Sequence, residues 1–151
     1  MPLEAQIDQD LKEAMKAQDA VRLSTLRLLK SALRNVAIEK RQEQLADADV
    51  LQMLGRQIKQ RRESIAAYRK GGRADLVANE EAELAILLRY EPPQLSDQEL
   101  QTLIEGAVAS AGASGPTDQG KVMKHIMAQV QGRADGRRVS QLVVERLGRR
   151  A

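Results

Sequence analysis

The sequence predicts an all-α protein in two parts. An amino-terminal four-helix bundle-like domain, residues 1–91, precedes a small three-helix domain, residues 92–151. Three observations predict it. Apolar residues recur at three- and four-residue spacing along most of the chain, and no stretch shows the two-residue alternation of a strand. Leu, Ile, Val and Ala must fill the core, because Phe and Trp are absent and Tyr68 and Tyr90 are the only aromatics. Such side chains suit closely packed helices. Pro92-Pro93 then interrupts the periodicity and marks the best domain boundary.

The first helix spans Pro2 to Ala17, with Leu3, Ile7, Leu11 and Met15 at near-regular fours. Asp19 caps the second, which runs to about Gln44 on a stripe of Leu26, Leu29, Leu33, Val36 and Ala37. Its outward face carries Arg27, Lys30, Arg34 and Arg41, a basic ridge. Asp47 begins the third helix, with Leu51, Leu54, Ile58, Ile65 and Tyr68 inward and Lys59, Arg62 and Arg69 outward. Gly71-Gly72 ends it. In the fourth helix, about Arg73 to Tyr90, Asp75, Glu80, Glu81 and Glu83 crowd the first half. Carboxylates there favour the helix dipole and pair with basic neighbours, which is a structural role rather than a catalytic one.

Ser96-Asp97-Gln98-Glu99 is a capping box that opens the fifth helix through Leu100, Leu103, Ile104, Ala107 and Val108. Ala111 to Pro116 is a flexible connection. The sixth helix shows Val122, Met123, Ile126, Met127 and Val130 on one face, and Gly132 is its left-handed stop. Asp135 caps the seventh, whose buried stripe is Val139, Leu142, Val143 and Leu147.

The net charge of +3 is too small to imply a polyanionic partner, but its distribution is uneven. From Arg22 to Arg73, thirteen Lys/Arg face five Asp/Glu, a local +8; from Gln119 to Ala151, eight face two, a local +6. Clustered positive charge raises a potential that attracts polyanions. The turn between the last two helices carries Arg133, Arg137 and Arg138, with Lys121 and Lys124 a helix-length away. Guanidinium groups beside a helix start suit phosphates.

Most chemistry is excluded by composition. Without cysteine there is no disulfide, thiolate metal site or thiol nucleophile. His125, the single histidine, flanks the core or faces solvent, and one histidine cannot build the usual zinc cluster. The serines lack a partner for nucleophilic catalysis, and Gly115 to Lys121 has the wrong glycine spacing for a P-loop. No catalytic residue, metal or cofactor is expected. With so few aromatics to stack on splayed bases, any RNA contact should favour the shape and phosphates of a folded RNA. The first eight residues lack the regions of a signal peptide, and no apolar run approaches the ~20 residues that span a bilayer. A soluble, cytoplasmic protein without a membrane partner is expected.

Gly120-x-Val122-Met123-Lys124, Gly132-Arg133-Ala134-Asp135, Val139 and Leu142 together resemble the end of the tail of the tRNA-dependent amidotransferase B subunit. Thr25-Leu26-Arg27-Leu28-Leu29, Gly72-Arg73-x-Asp75-Leu76-x-x-x-Glu80-x-x-Glu83-Leu84 and Tyr90-x-Pro92 resemble the stand-alone form of that tail, the GatB/YqeY family. The resemblance covers nearly the whole chain. One departure is Gly136, where amidotransferase tails often place proline; glycine starts a helix less firmly.

The resemblance implies a helical tRNA-binding module, with partners among tRNA, aminoacyl-tRNA and the amidotransferase machinery, and it carries over no catalytic residue. The expected RNA-binding set is Lys121, Lys124, Arg133, Arg137 and Arg138, with Arg27, Lys30 and Arg34 as a second patch. Two other readings stay open: a protein–protein interaction module without RNA binding, and an accessory linked to amidotransferase (carbon–nitrogen ligase) chemistry.

Overall fold

The computed structural model describes residues 1–130 and 132–149. Among them are seven α-helices, one short 3-10 turn and no strand. The chain divides into two compact units, Met1–Glu91 and Pro92–Ala151.

The first unit comprises α1 (Leu3–Lys16), α2 (Ala20–Lys40), α3 (Asp47–Lys70) and α4 (Ala74–Leu88). Asp19 caps α2 by accepting from the Arg22 N–H at 3.2 Å. Leu26, Leu29 and Leu33 recur at helical spacing and are fully buried with Ile7, Leu54 and Leu87. Each such side chain stabilises the fold by roughly 1.5–3 kcal/mol through burial. Besides Thr25, whose hydroxyl donates to the Val21 carbonyl at 2.8 Å, Glu4 is a polar residue in this apolar interior. Only 8% exposed, it accepts from the Leu45 N–H at 2.8 Å and from Lys30 Nζ at 3.2 Å. One carboxylate thereby joins α1, α2 and the loop before α3.

Two details of this unit differ from the sequence expectation. Helix α2 stops at Lys40, not near Gln44, because Arg41 takes a left-handed conformation at φ 54°. That reversal lets Leu45 return to the core, and it removes Arg41 from the ridge. Met15 is exposed, since α1 turns Ile7 and Ala14 inward instead.

The second unit contains α5 (Asp97–Ala111), the 3-10 turn Pro116–Asp118, α6 (Gln119–Val130) and α7 (Gly136–Gly148). Ser96 and Glu99 form the reciprocal capping box, with bonds of 3.1 and 3.0 Å. Leu100, Ile104, Val122, Ile126, Val130, Val139 and Val143 make one continuous core. Met127, expected on the buried face, is 41% exposed. Val122, Ile126 and Val130 already fill the inward stripe of α6, and residue 127 lies about 100° round the helix from 126.

Candidate nucleic-acid interface

The connection from α6 to α7 is fixed mainly by backbone bonds. Gly132 at φ +80° reverses the chain after Val130, a conformation glycine adopts without a Cβ penalty. The Arg133 N–H then donates to the Val130 carbonyl at 3.0 Å. The segment Pro92–Leu95 lies alongside: the Leu95 N–H donates to the Arg133 carbonyl at 2.7 Å, and Gln94 Nε2 to the Gly132 carbonyl at 3.3 Å. Asp135 caps α7 by accepting from the Arg137 N–H at 3.0 Å. Gly136 occupies the first helical position, where an added Cβ would meet Met127 Cε at 4.0 Å, an ordinary contact.

The five cations expected here have different surroundings. Arg133 turns back onto its own helix, with Nη2 3.1 Å from the Gln129 carbonyl and Nε 3.4 Å from that of Val130. It satisfies carbonyls that the end of α6 leaves open. Arg138 forms a two-pronged ion pair with Asp97 at the start of α5 and also donates to Gln141 at 3.1 Å. The Arg138 hydrogen bond holds the Asp97 carboxyl below its ordinary range, and Asp97 in turn raises the guanidinium. Lys121 is exposed, with Nζ 3.8 Å from Asp118 Oδ1. Lys124 and Arg137 are exposed, and their side chains have no ion-pair or hydrogen-bond partner among the described residues.

The α2 ridge is divided in the same way. Arg27 and Arg34 are exposed and unpaired among the described residues. Lys30 between them reaches across to α1, with Nζ 2.8 Å from Asp8 and 3.2 Å from Glu4. Partial burial works against its charge, but the hydrogen bonds to Asp8 and Glu4 outweigh it and raise the ammonium above its usual value.

Sequence reasoning missed the long-range partners. Asp97 appears there only as part of a capping box, and Glu105, which pairs with Arg146, not at all. Nor does it find Asp10, which accepts from the buried Tyr90 hydroxyl; burial first, then that bond, pushes the phenol up. No local pattern links positions so far apart. His125 is exposed. Among the described residues no group of three or more His, Asp or Glu could hold a metal ion, and no helix is long and apolar enough to cross a membrane.

A family model described as Yqey-like protein matches residues 4–147. The chain belongs to the YqeY-like family. Relatives of this YqeY-like chain carry the name Altered inheritance of mitochondria protein 41, mitochondrial. The one from Pyrenophora tritici-repentis is 31% identical over 142 residues, covering 92% of this chain and 77% of the relative. That from Lachancea thermotolerans is 32% identical over 117 residues, covering 76% of this chain and 63% of the relative. For Vanderwaltozyma polyspora the values are 33% over 101 residues, 66% and 55%. The match therefore spans less than two thirds of the length of the last two.

These names overturn the cytoplasmic location expected from the sequence, since all three relatives are mitochondrial by name. That expectation rested on the first eight residues and on the lack of a bilayer-spanning apolar run. Neither property distinguishes one internal compartment from another.

Proposed function

We propose that this YqeY-like protein is a non-catalytic module that holds the phosphate backbone of a folded RNA, tRNA foremost, at the α6–α7 corner. The observation that carries the reading is the state of Lys124 and Arg137. Both are exposed and uncommitted among the described residues, and Arg137 lies in the first turn of α7. Cations beside a helix start attract phosphate, because the backbone dipole and the side-chain charge act together. Lys121 contributes more weakly, since Asp118 is its neighbour. Arg133 and Arg138 shape the corner and release little charge to a ligand. In the first unit, Arg27 and Arg34 form the second contact, and Lys30 serves the fold.

Binding of wild type and of Lys124→Gln/Arg137→Gln to tRNA across several salt concentrations tests this. Each lost phosphate contact should lower the salt slope by about one. The double variant should therefore lose about two, with its thermal unfolding unchanged. An unchanged slope in a folded variant removes this corner from the RNA site. Wild-type affinity for tRNA no greater than for heparin rejects RNA as the ligand. A protein-interaction role would then be the better account, and the exposed Ile38 and Val144 would be its first candidate contacts.

A further inference from the structure

The outer face of α2 carries a line of side chains that the RNA reading leaves unused. Val21, Ser24, Leu28, Ser31, Asn35 and Ile38 are all exposed, and none is charged. Their spacing alternates between three and four residues, which sets them in one row along the helix. Val21 is 46%, Leu28 53% and Ile38 68% exposed, so the row gathers apolar surface that the first unit leaves in water. The outer face of α3 shows the ordinary composition, with Arg56, Lys59, Glu63 and Lys70 exposed.

The alternation is that of a two-stranded coiled coil, with Val21, Leu28 and Asn35 at the a positions and Ser24, Ser31 and Ile38 at d. The row covers about 25 Å at 1.5 Å per residue, a length at which a free helix is marginal. Helix α2 is already held through Leu26, Leu29 and Leu33, so pairing on its outer face need not order it.

The flanking charges select the occupant. Arg34 lies on one side of the row, at g, and Glu39 on the other, at e. Both are exposed and without an ion-pair partner among the described residues. In a parallel pair of identical helices, each Arg34 faces the Glu39 of the other copy, because g meets the following e across the seam. An antiparallel pair that aligns Val21 with Ile38 would instead bring Arg27 opposite Arg34, like against like. The parallel pair also sets Asn35 against its own copy, and one Asn at an a position fixes register and strand number.

We propose that α2 docks in parallel on α2 of a second copy of this chain, along the row from Val21 to Ile38. About ten residues of each chain take part, against roughly 20–30 in a standard interface, so the dimer is weak, with a Kd of about 10–100 µM. It engages Arg34 and leaves Lys124 and Arg137 untouched, so it stands or falls apart from the RNA reading.

Sedimentation velocity of the RNA-free, full-length protein from about 5 to 500 µM should follow the passage from monomer to dimer. Leu28→Glu and Ile38→Glu alter exposed positions, and each should weaken the dimer at least about tenfold. Arg34→Glu should weaken it about fivefold, and adding Glu39→Arg should restore wild-type affinity. The chain has no cysteine, so Ser24→Cys reports the direction of pairing. A parallel pair brings the two introduced sulfurs together, and oxidation should link the chains. An antiparallel pair sets them about 16 Å apart along the axis, beyond disulfide reach. A monomer throughout the range overturns the proposal, as does wild-type dimerisation in either folded Glu variant. If neither of those variants folds, the charge swap decides. A swap that does not restore affinity overturns the proposal, and so does Ser24→Cys linking no faster than Gln52→Cys on the outer face of α3.

Discussion

The α2 ridge and the α6–α7 corner look alike as sequence, each a short basic run on a helical scaffold, but their cations are used differently. On α2 the middle member, Lys30, is drawn toward α1 by Glu4 and Asp8, while Arg27 and Arg34 stay open. At the corner the two arginines nearest the packing, Arg133 and Arg138, take up carbonyls and a carboxylate, while Arg137 and Lys124 stay open. Local charge thus overstates what a ligand can meet. A cation counts toward binding only after the fold's own claims on it are subtracted. For Lys30 and Arg138 those claims come from acids far away in the chain, and for Arg133 from carbonyls of the preceding helix end.

The largest expected effect comes from removing the acid that holds the ridge. Glu4→Ala strands the Leu45 N–H and leaves Lys30 with Asp8 alone of its two carboxylates, and it should destabilise the first unit by about 2 kcal/mol. Tyr68 and Tyr90 are the only aromatic residues and both lie in that unit, so tyrosine fluorescence during urea unfolding reads the loss directly.

A smaller effect is expected from the other partner. Lys30→Met should cost about 1 kcal/mol at neutral pH, because the ammonium is partly exposed and Glu4 keeps its bond to Leu45. The pH dependence has a definite sign. The folded-state value of Lys30 is raised above the ordinary 10.5, so its contribution is complete below pH 10.5 and is lost as pH climbs through the higher folded value. Urea midpoints measured through that alkaline window should fall more steeply for wild type than for Lys30→Met. Parallel curves would show that the ridge is not held in this way.

At the corner, Arg138→Gln should leave the thermal midpoint close to wild type, since the pair with Asp97 is solvent-exposed. The visible change is in Asp97. Its carboxyl should return upward toward the ordinary 3.8 once the guanidinium is gone, which carboxyl NMR titration would detect. In wild type the depressed Asp97 contributes above pH 3.8 and loses that contribution as acid passes its lower folded value. Arg137→Gln is the smallest perturbation of all. It should change neither midpoint nor titration, and a clear destabilisation would mean that Arg137 also belongs to the fold.

Helix identity and facing were legible in the sequence because they depend on local periodicity. Leu26, Leu29 and Leu33 declare a buried stripe without reference to anything else, as do Val139, Leu142, Val143 and Leu147. Caps were legible for the same reason: Asp19, Ser96 and Asp135 act on backbone two or three residues away. What escaped was set by distant chain. The early end of α2 at Arg41 follows from where Leu45 must go, and the engagement of Lys30 and Arg138 follows from Glu4, Asp8 and Asp97. Periodicity also could not show that Met127, one position off the stripe, turns outward.

The bond from Leu95 to Arg133 has a consequence for how the corner comes into being. It closes a loop of 38 residues (133 − 95) through backbone atoms alone, so no choice of side chain at either end can strengthen it directly. Closing a loop of that length is entropically costly before packing repays it. The corner should therefore order late in folding, after α5 has met α6, and its cations should reach their final positions only then. The Leu95 amide proton records that event. Its exchange with solvent should proceed through opening of the second unit, at the rate at which the corner is dismantled.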